Sequence, residues 1–451
     1  MANNVDLLHG SVYKGLIYFA LPLLATSLIQ LLFSTADMLF AGNLLGTDSA
    51  AAIGSSTMIV FFLINFLLGL SAGASVVISQ YFGAKQPAKV KSAMQNGFII
   101  AIVGGLILTL LSYVISPYVL VLTNVPANIM DMASAYIRIY SLSIVFTAVY
   151  DMGFSALRSV GNSQSPLIYL AIGGIVHLIL NAVFLIVYDL GVEGLAWSTV
   201  LSQILIVILI FHNLLDKNPH NPVHLENLHF DSFYVKQILR IGLPVAIQAT
   251  LITLSNIIIQ SQINLFGDDI IAAFSVYLKI DNIVWLSTVA FGQAVMIFVG
   301  QNLGAHNVLR AKEGIRKCLI ISVAVTLVAS LLVLGFGRPL FGLFISDGVV
   351  IGFGMVIMTI TMPLYFLYAV MEVLSGALKG AGKSFAAMSI IMMNMCVFRT
   401  IILTIVMMIC PELWAVIMVY PITWILTIAT LTVYYRAKPL TSTLKRFNTA
   451  I

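Results

Sequence analysis

A handful of ionisable side chains stand inside otherwise apolar stretches of this sequence, and their types and spacing bound the chemistry it can do. A charge within a hydrophobic span is costly, so each one needs a partner or a purpose. Asp37 follows a long apolar run and could load and release a proton or a sodium ion; the alternative is a carboxylate at the end of a span that merely meets water. His177 and Asn181 are four residues apart and share one face of a helix. An imidazole changes charge near neutral pH, and an amide oxygen can ligate a hard cation, although a histidine satisfied by a neighbouring helix fits the same pattern. Asp37, His177 and Asn181 form the candidate cation-coupling set. Glu372, Arg399, Asp281 and Lys279 place two acids and two bases in the second half, a candidate substrate-contacting or polar network, with mutual neutralisation as the bland alternative. Glu372 and Asp151 each precede a base, Lys379 or Arg158, by seven residues. Tyr140, Tyr150, Tyr277, Trp285, Tyr365 and Tyr368 offer aromatic faces to organic cations, or to ordinary packing.

The elements that position these groups are set by hydropathy. Of 451 residues, 60% are hydrophobic and 9% charged, and the mean hydropathy is +1.05. Ordinary soluble domains carry about 25% charged residues, so a water-facing surface cannot be made from this chain. Apolar runs broken by Gly, Pro and charge predict helices at about 15–40, 52–80, 95–118, 132–156, 166–188 and 193–214, then 238–265, 270–300, 315–337, 352–378, 385–409 and 414–435. The expected fold is an all-α polytopic membrane protein of twelve spans. Met1 to Lys14 has no basic stretch ahead of a short apolar one and is expected to be retained rather than cleaved.

The formal charge of +5 is explained by position rather than by nucleic acid, for no basic stripe alternates with aromatics. Eighteen of the 22 Lys and Arg fall in loops on one side of the twelve-span arrangement, from Lys14 through Lys85, Arg158, Lys217, Arg310 and Lys383 to Lys445 and Arg446; the other side has Arg338 among several acids. The positive-inside rule makes the basic side cytoplasmic, with both termini there, in a bacterial cytoplasmic membrane. Cys318, Cys396 and Cys410 show no metal or redox spacing, and no metal or cofactor is expected.

The two halves repeat. Leu21-Pro22 returns as Leu243-Pro244, Gly83-Ala84 as Gly304-Ala305, and Ala156-Leu157-Arg158 with Gly161 and Ser163 as Ala377-Leu378-Lys379 with Gly382 and Ser384, at offsets of 222 and then 221. Six spans is an even number, so the repeats are parallel, and two six-helix lobes are expected to face a central cavity. The lobes are set at 1–214 and 238–435, with a cytoplasmic linker at 215–237 and a tail at 436–451. The linker and its flanks hold His212, His220, His224 and His229, at a spacing that suits a solvated segment better than a metal site.

With Ser34-Thr35-Ala36-Asp37, Ile259-Gln260-Ser261-Gln262 and Met371-Glu372-Val373-Leu374-Ser375-Gly376 added to these motifs, the chain resembles the multidrug and toxic compound extrusion (MATE) family, in its DinF-like branch. The resemblance implies export of small amphipathic, often cationic compounds in antiport with protons or sodium ions by alternating access, a monomer in the lipid bilayer, and a coupling role for Asp37. At positions 177 and 181 the family pattern leads one to expect Asn and Asp; here stand His177 and Asn181, so a second carboxylate is missing. The competing functions are a lipid-linked precursor flippase of the same superfamily and an uncoupled channel or receptor. Gly382-Lys383-Ser384 imitates the end of a phosphate-binding loop, but Ala377 stands where its first glycine belongs, and no catalytic constellation argues for an enzyme.

Overall fold

The computed structural model describes residues 4–123, 125–215 and 229–440. Among these, every regular element is helical. Twelve spans result when one bent pair is counted as a single span. They are α1 (Val12–Leu45), α2 (Thr47–Gly83), α3 (Pro87–Leu122), α4 (the pair Ala127–Ser141 and Ser143–Ser159), α5 (Gln164–Val187) and α6 (Gly191–Leu214). The second set is α7 (Ser232–Phe266), α8 (Asp268–Gly304), α9 (Val308–Gly335), α10 (Gly348–Gly380), α11 (Ser384–Ile409) and α12 (Leu413–Ala437). Most helices run past the apolar stretch that marks them, because backbone hydrogen bonding continues into polar sequence until a turn residue stops it. His220 and His224 of the linker, Lys217, Lys445 and Arg446 lie outside the described residues.

The expected continuous span at 132–156 is instead broken by 40° at Leu142. Ser141 is the cause on the page: its hydroxyl donates to the Ile137 carbonyl at 2.6 Å and meets Ser112 at 2.7 Å, and serine back-bonding of this kind bends helices.

Two compact units emerge, and the divisions fall inside α1 and α7, two residues beyond Pro22 and Pro244. Unit 1 holds Met1–Val5 and Ala25–Ala246; unit 2 holds Asp6–Leu24 and Ile247–Ile451. Within unit 1, Gly69 and Gly73 of α2 cross Gly242 and Ala246 of α7 so closely that a Cβ on Gly69 would overlap the Ala246 backbone. Within unit 2, Gly376 and Gly380 of α10 cross Gly292 and Met296 of α8 just as closely. Also in unit 2, Arg310 spreads its guanidinium over three consecutive-turn carbonyls, Leu7, His9 and Gly10, fixing the segment ahead of α1.

Each unit repeats the other's backbone. Among the described residues, six of the nine with positive φ form pairs at the offset of 221: Gly46 with Gly267, Lys85 with His306, and Gly161 with Gly382. The turns closing α4 and α10 share one hydrogen bond, from Asn162 N–H to the Leu157 carbonyl and from Lys383 N–H to that of Leu378. Gly161 must be glycine on two counts, a φ of +92° and a Val5 carbonyl lying where a Cβ would go. Lys383, the lysine of the false phosphate loop, donates its ammonium to the carbonyls of Lys438 and Pro439, a structural use.

Candidate functional site

The structure brings together the three residues singled out in the first half. Asp37 near the end of α1 accepts a hydrogen bond from Asn181 Nδ2 at 2.7 Å and lies 2.8 Å from His177 Nε2 through the same oxygen, Oδ1. Asn181 Nδ2 is also 3.3 Å from His177 Nε2, as expected for one turn of α5. All three belong to unit 1. The side chains of His177 and Asp37 are 6% and 14% exposed, so solvent screens the pair little.

The far side of the imidazole decides what this contact holds. His177 hydrogen-bonds the Ser198 backbone, and Ser202 Oγ, which donates to the Thr199 carbonyl, lies 3.5 Å from Nδ1. With the Ser202 hydroxyl turned to the Thr199 carbonyl, its oxygen can accept from Nδ1. In that tautomer the 2.8 Å contact between Nε2 and the Asp37 oxygen holds a second proton, on the imidazole or on the acid. The pair in that tautomer can hold one exchangeable proton, with the Asn181 amide near both partners. Asn181 Oδ1 is buried with no hydrogen-bond partner.

Sequence reasoning singled out Asp37, His177 and Asn181 and missed Ser202, which lies beside the imidazole; Ser202 was detectable as the repeat mate of Thr423 at the offset of 221. Tyr136 and Tyr140, stacked 5.8 Å apart, lie within electrostatic reach of Asp37. The Phe33 ring rests on Gly174, where a Cβ would overlap it, and packs 6.1 Å from His177. Gly174→Ala must displace this ring from its place beside His177. Overpacking costs about 1–3 kcal/mol, so initial rates of gradient-driven transport in proteoliposomes should fall about tenfold at wild-type protein density. An unchanged rate would show that the ring yields without moving Asp37.

In unit 2 the alternative of mutual neutralisation finds no support, for no ion pair joins any two of Glu372, Arg399, Asp281 and Lys279. Lys279 is exposed and stands over the Phe344 ring at 5.3 Å. Asp281 accepts from Tyr277 Oη at 3.0 Å and Tyr365 Oη at 3.1 Å, one phenol for each oxygen. Glu372 hydrogen-bonds Tyr368, one turn before it, and faces Gly292. Arg399 is 1% exposed and is held by Thr423 Oγ1 at 3.2 and 3.3 Å, Asn256 Oδ1 at 3.4 Å, Met395 Sδ at 3.0 Å and the face of Tyr420 at 5.0 Å. Tyr365, Tyr368, Tyr420 and Trp424 form a continuous aromatic cluster, centroids 5.5 to 6.3 Å apart. Among the described residues no group of three or more His, Cys, Asp or Glu could hold a metal ion.

Comparison with known proteins agrees with this architecture. The MatE family profile matches residues 22–183 and 244–406, one match per repeat. The probable multidrug resistance protein YpnP of Bacillus subtilis is 29% identical over 400 residues, covering 87% of each chain. The probable multidrug resistance protein YoeA of the same organism is 27% identical over 383 residues, covering 82% of each. A solved MOP-superfamily transporter from Pyrococcus furiosus shares the fold, with a TM-score of 0.91 over 98% of both chains at 18% identity. With both repeats matched and the twelve helical spans in place, the chain belongs to the MatE family, the multidrug and toxic compound extrusion transporters.

Proposed function

We propose that this protein exports small amphipathic compounds in exchange for protons, by alternating access in a bacterial cytoplasmic membrane, as a monomer with both termini in the cytoplasm. The observation that carries the reading is the buried Asp37–His177 contact at 2.8 Å with Ser202 of α6 beside Nδ1, an arrangement able to store one exchangeable proton. Sodium is the weaker candidate, because among the described residues the site shows one carboxylate, Asp37, and the unpartnered Asn181 Oδ1, where a hard cation takes about six oxygens. The relatives named for multidrug resistance support export of drug-like compounds.

Coupling follows from differential affinity. A proton and a substrate that disfavour each other's bound state are exchanged, and the gradient of one drives the other. The test is ethidium efflux from oriented proteoliposomes with a proton gradient and a sodium gradient imposed separately. Uphill efflux under the proton gradient alone is the expected result. Drive by sodium alone would reject the proton, and equal downhill flux without either gradient would make the protein a channel.

A further inference from the structure

We propose that Arg399 anchors an anion-binding subsite inside unit 2, one that takes the carboxylate or phosphoryl group of an amphipathic aromatic substrate. The argument begins with repeat register. Ser163 and Ser384 are mates at the offset of 221, and so are Ser202 and Thr423. Between these anchors each repeat contains one π-helical stretch, and such a stretch accommodates one extra residue in a helix. In unit 1 it is Val183–Val187, after His177; in unit 2 it is Met393–Phe398, before Arg399. Between the two the offset becomes 222, and the structural mate of His177 is Arg399.

The neighbours confirm the match. Ser202 lies beside His177, and its mate Thr423 hydrogen-bonds Arg399. At the same offset of 222, Asp37 maps to Ile259 and Asn181 to Leu403, which are 1% and 2% exposed. The second repeat has thus exchanged a titratable imidazole for a fixed guanidinium and has replaced the acid and amide that face it by hydrocarbon.

A buried guanidinium without a carboxylate is a costly object, and its present partners are all neutral and mostly long. Asp281, the carboxylate of the neighbouring aromatic cluster, has both oxygens engaged by Tyr277 and Tyr365. A second, independent feature points the same way: Trp424, next to Thr423 and 3% exposed, has an indole N–H with no acceptor. Arg399 of α11 meets Thr423 and the face of Tyr420 on α12, and Trp424, stacked with Tyr420, follows Thr423 on that helix, so two buried donors that lack an anion belong to one cluster. A flat anionic group satisfies both at once: the oxyanion accepts from the guanidinium and the indole, and the ring system stacks.

The proposal rests on the exporter reading for its view of the ligand as cargo, but its test needs no gradient. Full-length protein in nanodiscs of zwitterionic lipid is titrated calorimetrically with 2-naphthoate and with 2-naphthylmethylammonium, one ring system carrying opposite charges, and with inorganic phosphate. Empty nanodiscs supply the blank. Arg399→Met is expected to weaken naphthoate binding about tenfold or more, in line with a lost charge-assisted bond, and to leave the ammonium analogue unchanged or tighter. Arg399→Lys keeps the charge but not the fork and falls between, and Trp424→Phe weakens naphthoate alone; these two keep the test decisive if the methionine variant does not fold. Equal naphthoate affinity in wild type and variants, or equal loss of both analogues, overturns the subsite. Displacement of naphthoate by inorganic phosphate overturns the cargo assignment in favour of a free ion. Failure of proton-driven ethidium efflux would leave these affinities untouched, so the two readings fail separately.

Discussion

Asp37→Asn is expected to reduce proton-driven ethidium efflux to the leak of protein-free liposomes, about a hundredfold or more, while the protein reaches the membrane at wild-type density. The substitution keeps an oxygen that accepts from Asn181 and His177, so the packing of α1 on α5 survives. What it removes is the negative charge that gives His177 a reason to hold a second proton. A site whose affinity for the proton no longer differs between its two states takes no free energy from the gradient. His177→Gln makes the complementary case: it preserves a donor to Asp37 and leaves one titrating group where there were two, so residual transport with an altered pH profile is expected. Full coupling in Asp37→Asn would move the proton site elsewhere, and Asp281, held by two phenols in unit 2, would be the first place to look.

Gly376→Val should cost about 3 kcal/mol of stability, at the upper end of overpacking penalties. A Cβ at position 376 would overlap the Gly292 carbonyl oxygen and come within 2.9 Å of Val295 Cγ1. The obstacle is backbone on α8, which cannot rotate aside as a side-chain tip can. The natural control is Gly352→Val on the same helix, where nothing lies within 4 Å of the added carbon. Thermal inactivation followed by loss of the monodisperse peak in size-exclusion chromatography should show a midpoint several degrees lower for Gly376→Val and little change for Gly352→Val. Equal midpoints would mean that the α8–α10 crossing relaxes apart at small cost.

Much of this architecture was legible in the sequence, and the rest was hidden for a definite reason. Hydropathy finds spans because the bilayer imposes a length, and the duplicated motifs find the repeat because they mark helix ends. The left-handed pairs Lys85 with His306 and Gly161 with Gly382 sit within those motifs. Asp37 could be joined to His177 and Asn181 since their depths agree and α5 fixes the pair on one face. Rotation about a helix axis is harder to read. Lys279 and Asp281 are two residues apart, so one α8 face cannot present both; the lysine is exposed while the aspartate meets the tyrosines. The partner Tyr277 was legible at one turn's distance from Asp281. The bend at Leu142 was not, because Ser141 reads as an ordinary small residue within an apolar run.

The placement of the two π-helical stretches has a further consequence for how such a lobe changes its electrical character. Removing one residue from Met393–Phe398 would turn everything downstream in α11 by about 100°, carrying the Arg399 guanidinium off the Thr423 face. No charged residue need be exchanged for this. A three-nucleotide deletion there, or an insertion ahead of His177, would redraw the interior of a lobe while its hydropathy profile and helix count stayed the same. In a duplicated transporter, then, descendants of one ancestral gene can part company over which sign of charge they tolerate by shifts in reading length alone, a kind of divergence that comparing residue types column by column passes over.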